Sequence, residues 1–192
     1  MIEMNSLHES TNSFCKALGL DLNDDNFKDT PKRIAESFKE MCRYYSEESQ
    51  TELTHILKTR FRTDYKGMII QEPIRVYSLC SHHLLPVTYD IVFGYIVKDY
   101  SLGFSKSVKA LEILAARPIS QEDFTHEAVN LIEKAIKPRG IMMVVKGEHA
   151  YMKIRSAKSY AINTTSAVTG DFQKNQSSKL EFLELAKIKL SV

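Results

Sequence analysis

The sequence predicts an α+β domain in which an antiparallel sheet is covered by helices on one face. Three observations carry that prediction. From Gly67 onward two strand-like runs, MIIQEPIRVYSLC and VTYDIVFGYIV, follow one another; two helical segments come next; further strand-like runs then complete the order β, β, α, α, β, β. The composition suits such a domain, with 192 residues, 43% hydrophobic and 26% charged, and 26 basic against 24 acidic side chains for a formal charge of +2. That balance excludes a disordered polymer and a nucleic-acid binder acting through bulk positive charge. Seven Gly and five Pro are too few for a linker-rich multidomain chain.

Residues 1–50 read as an N-terminal helical extension and 51–192 as a single functional domain. In DTPKRIAESFKEMCRYY, Thr30 is the expected cap and Pro31 the first helical position. Ile34, Phe38, Met41 and Tyr45 then recur at spacings of four, three and four, which predicts one amphipathic helix over 31–45. SEESQTE reads as a polar break after it. In VTYDIVFGYIV, Val87, Tyr89, Ile91, Phe93, Tyr95 and Val97 hold every odd position, the mark of a strand with one well-buried face. With the preceding run it predicts a hairpin whose connection contains HHLLP.

The first of the two later helices opens near Ser105 and carries Val108, Leu111 and Leu114 before Pro118. The second has Ser120 as its expected cap, Glu122 and Asp123 in its first turn, and a stop at Lys137, Pro138, Arg139 and Gly140. IMMVVKG, HAYMKIRS and YAINTTSAVTG read as strands, and KLEFLELAKIKL as a C-terminal helix. A four-stranded sheet of this kind has two free edges and one uncovered face. Closing sheets from several subunits into a ring would protect them, so a homo-oligomer is expected.

Cys15, Cys42 and Cys80 are an odd number, and MIEMNSLHESTNSF lacks the basic and apolar regions of a secretory signal. A reducing, cytoplasmic setting is expected, with each thiol read separately. No run approaches the ~20 apolar residues of a membrane span.

Four clusters can carry chemistry. CSHHLLP places Cys80, His82 and His83 within four residues at a strand end; thiolate and imidazole suit zinc, and a short turn would aim Cys80 and His83 at one centre while His82 faces elsewhere. The same residues also read as two loop histidines beside a small buried thiol. In HAYMKIR, a strand would set His149, Tyr151, Lys153 and Arg155 on one face, either as a solvated surface or as a cationic row for an anionic substrate. GFSKSVK puts Ser105, Lys106 and Lys109 at the mouth of a helix, a phosphate cradle or an ordinary helix surface. Gln121 and Glu122 begin the next helix, where the dipole favours a carboxylate in any case.

Taken in order, these pieces resemble the GTP cyclohydrolase I family, whose members open the purine of GTP and rebuild it as dihydroneopterin triphosphate. DTPKRIAESF is similar to the family's ETPxRxA helix, SLCSHHLLP to SLCEHHLLP and LGFSK to IGLSK. RPISQEDFT is similar to RxQVQERLT, EHAYMKIR to EAxHxCMxxR and TTSAVTGDF to TSxxxGxF. The resemblance implies the tunnelling fold, with ββααββ subunits closing into pentameric barrels that stack as a decamer. It implies zinc on Cys80 and His83, and catalytic roles for His82 and His149. Ser105, Lys106, Lys109 and Arg155 would bind the triphosphate, and Gln121 and Glu122 would lie at the guanine. Zinc would polarise the water that attacks C8, with histidines moving protons as the ring opens.

The departures gather at the metal centre. Tyr151 stands where the family has its third zinc ligand, a cysteine, and a neutral phenol is a poor substitute for a thiolate. Ser81 replaces the glutamate of CEHH, PVTYD lacks the glycine that follows LLP, and Ser156 replaces the glycine after the family arginine. Three outcomes are open: a cyclohydrolase with an altered metal site, a diverged enzyme on a related purine or pterin, or a catalytically silent guanine-nucleotide-binding subunit. The nitrile reductases of the same fold rank lower, because Phe104 stands where they carry a glutamate before the SK pair.

Overall fold

The computed structural model describes residues 2–155 and 158–186. Helices α1 (Met4–Ala17) and α2 (Thr30–Met41) pack on each other, a 3₁₀ turn covers Arg43–Tyr45, and α3 (Glu47–Lys58) follows. Strands β1 (Arg60–Arg62), β2 (Met68–Cys80), β3 (Pro86–Ile96) and β4 (Tyr100–Leu102) come next. Then come α4 (Phe104–Ala115), the two-residue β5 (Pro118–Ile119), α5 (Gln121–Ile136), β6 (Gly140–His149) and α6 (Ala150–Ile154). Strand β7 (Asn163–Val168) and the helices α7 (Asp171–Lys174) and α8 (Gln176–Leu185) complete the described chain.

The expected order of paired strands around two helices is present as β2, β3, α4, α5, β6 and β7. The main sheet runs β5-β2-β3-β6-β7, antiparallel throughout except for the short parallel contact of β5 with β2. Strands β1 and β4 form a separate antiparallel pair. The register of β2 against β3 shifts between Gln71 and Ile74, at Pro73, which has no N–H to give to the ladder.

Several local expectations need correction. Thr30 is the first residue of α2 rather than its cap, and that helix ends at Met41 before a tighter 3₁₀ turn, so 31–45 is not one helix. SEESQTE is a helix start: the Ser46 hydroxyl accepts from the Ser49 N–H at 3.1 Å, Glu47 and Glu48 favour the positive helix end, and Leu53 and Ile56 bury the inner face. HAYMKIRS is not a strand. Strand β6 runs unbroken from Gly140 to His149, and its partners then stop, since Val87 pairs His149 at the start of β3 and Asn163 pairs Gly147 at the start of β7. Without a ladder beyond His149, the backbone bonds to itself as α6, whose Ala, Met and Lys favour a helix. The expected C-terminal helix is present as α8; residues 187–190 of that segment lie outside the described residues, as does Ser156.

The odd-numbered side chains of β3 from Val87 to Tyr95, and Val97 just after it, are buried against α4 and α5, with Leu111, Leu114, Phe124, Ala128 and Ile132 opposite. The other face of the sheet is not left bare. Val92 and Ile96 of β3 and Met142 and Val144 of β6 lie under Phe172 of α7 and Phe182 of α8. A Cβ on Gly94 would stand 2.9 Å from the Phe182 ring, so glycine lets that helix lie close.

Candidate functional site

Cys80 ends β2 and is 5% exposed. The chain reverses at once: the Cys80 N–H donates to the Leu85 carbonyl at 2.9 Å, and the Cys80 carbonyl accepts from His83 at 3.3 Å and Leu84 at 2.8 Å. Leu84 takes φ 52°, a left-handed conformation that costs a side-chain-bearing residue about 1–2 kcal/mol. This tight turn folds both imidazoles back onto the thiol, with Cys80 Sγ 3.6 Å from His83 Nδ1 and 3.8 Å from His82 Nδ1. His82 therefore does not face elsewhere, as the sequence suggested. Tyr151, at the start of α6, stacks on His83 with ring centroids 4.2 Å apart and planes at 22°.

A cleft of about 150 Å³ opens beside this turn, lined by Cys80, His82, Gln121, Glu122, His149 and Tyr151 among others. Ser120 caps α5 by accepting from the Asp123 N–H at 3.1 Å, which fixes Gln121 and Glu122 at the cleft. Gln121 is 3% exposed, and the two N–H groups of its amide are shared among Val145 O at 3.1 Å, Asn163 O at 3.0 Å and Thr165 Oγ1 at 3.2 Å. These acceptors settle which end of the amide is nitrogen. Its oxygen, Oε1, then accepts from His149 Nε2 at 3.0 Å, so His149 is the Nε2–H tautomer and Nδ1 keeps its lone pair. Burial holds the His149 pKa below its ordinary value, and the Glu122 carboxylate opposes that shift in part. His149 is thus a neutral imidazole at pH 7, the protonation state of a base.

Two groups of this site were not legible in the sequence. Gly147 pairs with Tyr89, and a Cβ on it would collide with the Gln121 side chain, so its backbone is what admits the amide. A glycine inside a strand pattern signals such a close approach. Tyr89 read as one more core residue of the β3 alternation; it is fully buried, stacks on Phe124 with centroids 4.8 Å apart, and lies 6.4 Å from the His149 ring. Burial pushes its phenol well above the ordinary value; the charges of Cys80 and Glu122 add to this and Ser78 opposes it.

The remaining candidates are dispersed. Ser105 and Lys106 lie in the first turn of α4, which starts beside Gln71, whose amide donates to the Phe104 carbonyl at 3.0 Å. Cys80 lies nine positions further along β2 (71 to 80), on the order of 25–30 Å at about 3.3 Å per residue with the bulge allowed for. Lys109 pairs with Glu52 at 3.6 Å. Arg155 is exposed at the end of α6 and does not line the cleft, and Lys153 forms an ion pair with Glu148 and lies over the Tyr160 ring. Within one chain, then, Cys80, His82, His83, Gln121, Glu122 and His149 come together, and Ser105, Lys106 and Lys109 do not join them. Larger hollows of 260 Å³ and 650 Å³ lie at the N-terminal helices, lined by residues such as Glu40 and Arg43. They contain no cysteine–histidine group.

The Cys80–His83 spacing tests the fit of zinc. Bond lengths of about 2.3 Å to sulfur and 2.0–2.1 Å to nitrogen at a tetrahedral angle separate two donors by about 3.6 Å, the distance found here. Two such donors make one edge of the tetrahedron. Among the described residues no three His, Cys, Asp or Glu side chains gather to hold a metal ion. The described residues of one chain therefore supply two of the three protein ligands of such a zinc site and not the third.

The ββααββ order, with helices α4 and α5 on one face of the sheet, is that of the tunnelling fold. The family model described as GTP cyclohydrolase I matches residues 7–187. The GTP cyclohydrolase 1 of Methylococcus capsulatus is 35% identical over 170 residues, covering 88% of this chain and 90% of that protein. The GTP cyclohydrolase 1 of Helicobacter pylori strain 26695 is 34% identical over 177 residues, covering 92% and 97%. The chain belongs to the GTP cyclohydrolase I family. A crystal structure of the archaeosine synthase QueF-Like in its apo form superposes with a TM-score of 0.43 at 14% identity, over 54% of this chain and 94% of that one. No helix of the described residues is long and apolar enough to cross a membrane.

Proposed function

We propose that this chain is a GTP cyclohydrolase I-like hydrolase that opens the purine ring of GTP toward dihydroneopterin triphosphate, with an altered metal site. The observation that supports this best is a single cleft lined by Glu122, the Cys80 turn and His149, whose ring Gln121 orients. In this reading Glu122 accepts hydrogen bonds from the guanine ring N–H and exocyclic amine, with Gln121 beside it. His149 and His82 hold and pass the protons that ring opening requires. A cleft of about 150 Å³ accommodates a base but not a whole nucleotide, since ligand sites run to about 300–1,000 Å³.

The triphosphate therefore needs a second surface. In this reading Arg155 of the same chain binds the triphosphate together with Ser105, Lys106 and Lys109 of a neighbouring copy. A ring of subunits, a pentamer or a decamer, supplies that neighbour and pairs the sheet edges at β7 and β5. Residues 51–192 act as the functional unit with residues 1–50 as an extension, in a reducing cytoplasmic setting consistent with three free thiols. Cys80 and His83 would hold zinc in this reading, weakly for want of the third protein ligand, and the ion would supply Lewis acidity at the cleft.

Metal analysis of protein purified without chelator, together with an assay for a fluorescent pterin product from GTP, tests the proposal. Zinc with turnover supports the cyclohydrolase. The stacked Tyr151 favours a second reading, in which the chain acts on a related purine or pterin or is a silent nucleotide-binding subunit; GTP binding without product supports that one. Absence of binding by GTP and by related purines rejects both. Tyr151→Cys restores a thiolate next to His83, and we expect zinc affinity, measured by competition with a chromophoric chelator, to rise at least about tenfold.

A further inference from the structure

Two polar atoms are sealed beneath the cleft without a hydrogen bond closed in distance and angle: His149 Nδ1, and the Tyr89 hydroxyl, which adjoins the Ser78 hydroxyl. Tyr89 is 0% exposed and His149 9%. Buried polar atoms in native proteins almost always have partners, often an ordered water, so two neighbouring exceptions need an explanation. Their rings stand edge to face with centroids 6.4 Å apart, and the two polar atoms make no direct hydrogen bond.

Their chemistry is complementary. Because Gln121 Oε1 takes the His149 Nε2 proton, Nδ1 is an acceptor only, while the phenol both donates and accepts. The Ser78 hydroxyl, which donates to the Arg117 carbonyl at 3.0 Å, adjoins the phenol and can accept its proton, which leaves the phenol oxygen free to accept from a water. A buried water typically makes two to four such bonds.

We propose that one buried water is held between the Tyr89 hydroxyl and His149 Nδ1, making Tyr89 a positioning residue that fixes the His149 ring at its second nitrogen. Gln121 pins one nitrogen and the water pins the other. A flip of the imidazole would break both bonds, so the ring that faces the cleft keeps a single orientation and tautomer. The water itself does not depend on the GTP reading; its kinetic effect rests on it.

Crystal structures of the full chain and of Tyr89→Phe, at a resolution that shows ordered water, test this. In the unaltered protein we expect a water within about 3.2 Å of both atoms. In Tyr89→Phe that water is lost while the Gln121–His149 bond persists. With GTP as substrate, kcat falls about tenfold and KM stays within about twofold, as for loss of an outer partner of a working histidine. A Tyr89 hydroxyl bonded to Ser78 with no water present overturns the proposal. So does a water that remains in Tyr89→Phe, or turnover that the substitution leaves unchanged. If the unaltered protein does not turn over GTP, the function reading fails, and the pair of structures alone decides this one.

Discussion

The two ends of the long hairpin are built in opposite ways. At the Cys80 end, a strained turn, a buried amide and a neutral histidine lock one another, and each bond is made inside the chain. At the Gln71 end, Ser105 and Lys109 stand exposed on α4. The first end is finished by folding; the second presents charge to whatever approaches it. Groups that must hold a proton on one nitrogen need low-dielectric surroundings and fixed partners. Groups that gather an anion act through exposed charge, which reaches further but is screened by salt.

Substitutions at each end sharpen that contrast. Gln121→Ala removes the amide that joins β6, β7 and His149, and we expect a loss of about 2–4 kcal/mol, read from urea denaturation, together with release of the His149 tautomer. Gly147→Ala pushes a methyl into the same amide, with an expected cost of about 1–3 kcal/mol. A smaller effect belongs to His149 and depends on pH. Its folded pKa lies below the unfolded value of about 6.5, so the unfolded chain takes up the proton first as pH falls. Stability contributed by the neutral ring is complete above that value and is lost below it. The unaltered protein should therefore lose stability as pH falls below about 6.5 more steeply than His149→Asn, in paired denaturation curves. At the other end, Lys109→Ala breaks only a half-exposed pair with Glu52, and its stability cost should stay below about 0.5 kcal/mol. Its effect should appear in GTP binding, which weakens and loses part of its salt dependence. A large stability loss for Lys109→Ala, or none for Gln121→Ala, would erase the distinction between the two ends.

The sequence made the strand and helix order legible because β3 alternates without a break and α5 carries both its cap and its stop. Where it misled, the cause was a partner distant in the chain. The alternation of HAYMKIR is genuine, but a strand also needs neighbours, and β3 and β7 provide none past His149. SEESQTE looked like a break because its apolar residues, Leu53 and Ile56, come only after two polar turns. At the site, the residue types at Cys80, His82, His83, Gln121, Glu122 and His149 were legible as separate clusters. The bond between Gln121 and His149 crosses 28 positions and depends on a backbone gap at Gly147, so no local pattern reports it. Tyr89 was hidden by fitting the core pattern too well.

The covering of the sheet's second face bears on how the chain matures. Val92, Ile96, Met142 and Val144 lie on strands made well before Phe172 and Phe182, the side chains that bury them. During synthesis the hairpin and β6 can assemble on α4 and α5 while that apolar patch still faces water. For that interval the nascent sheet offers a sticky surface, the kind that chaperones engage and that promotes misassembly when translation is slow. Helices α7 and α8 thus act as a late seal, and the chain passes from vulnerable to closed only when they dock.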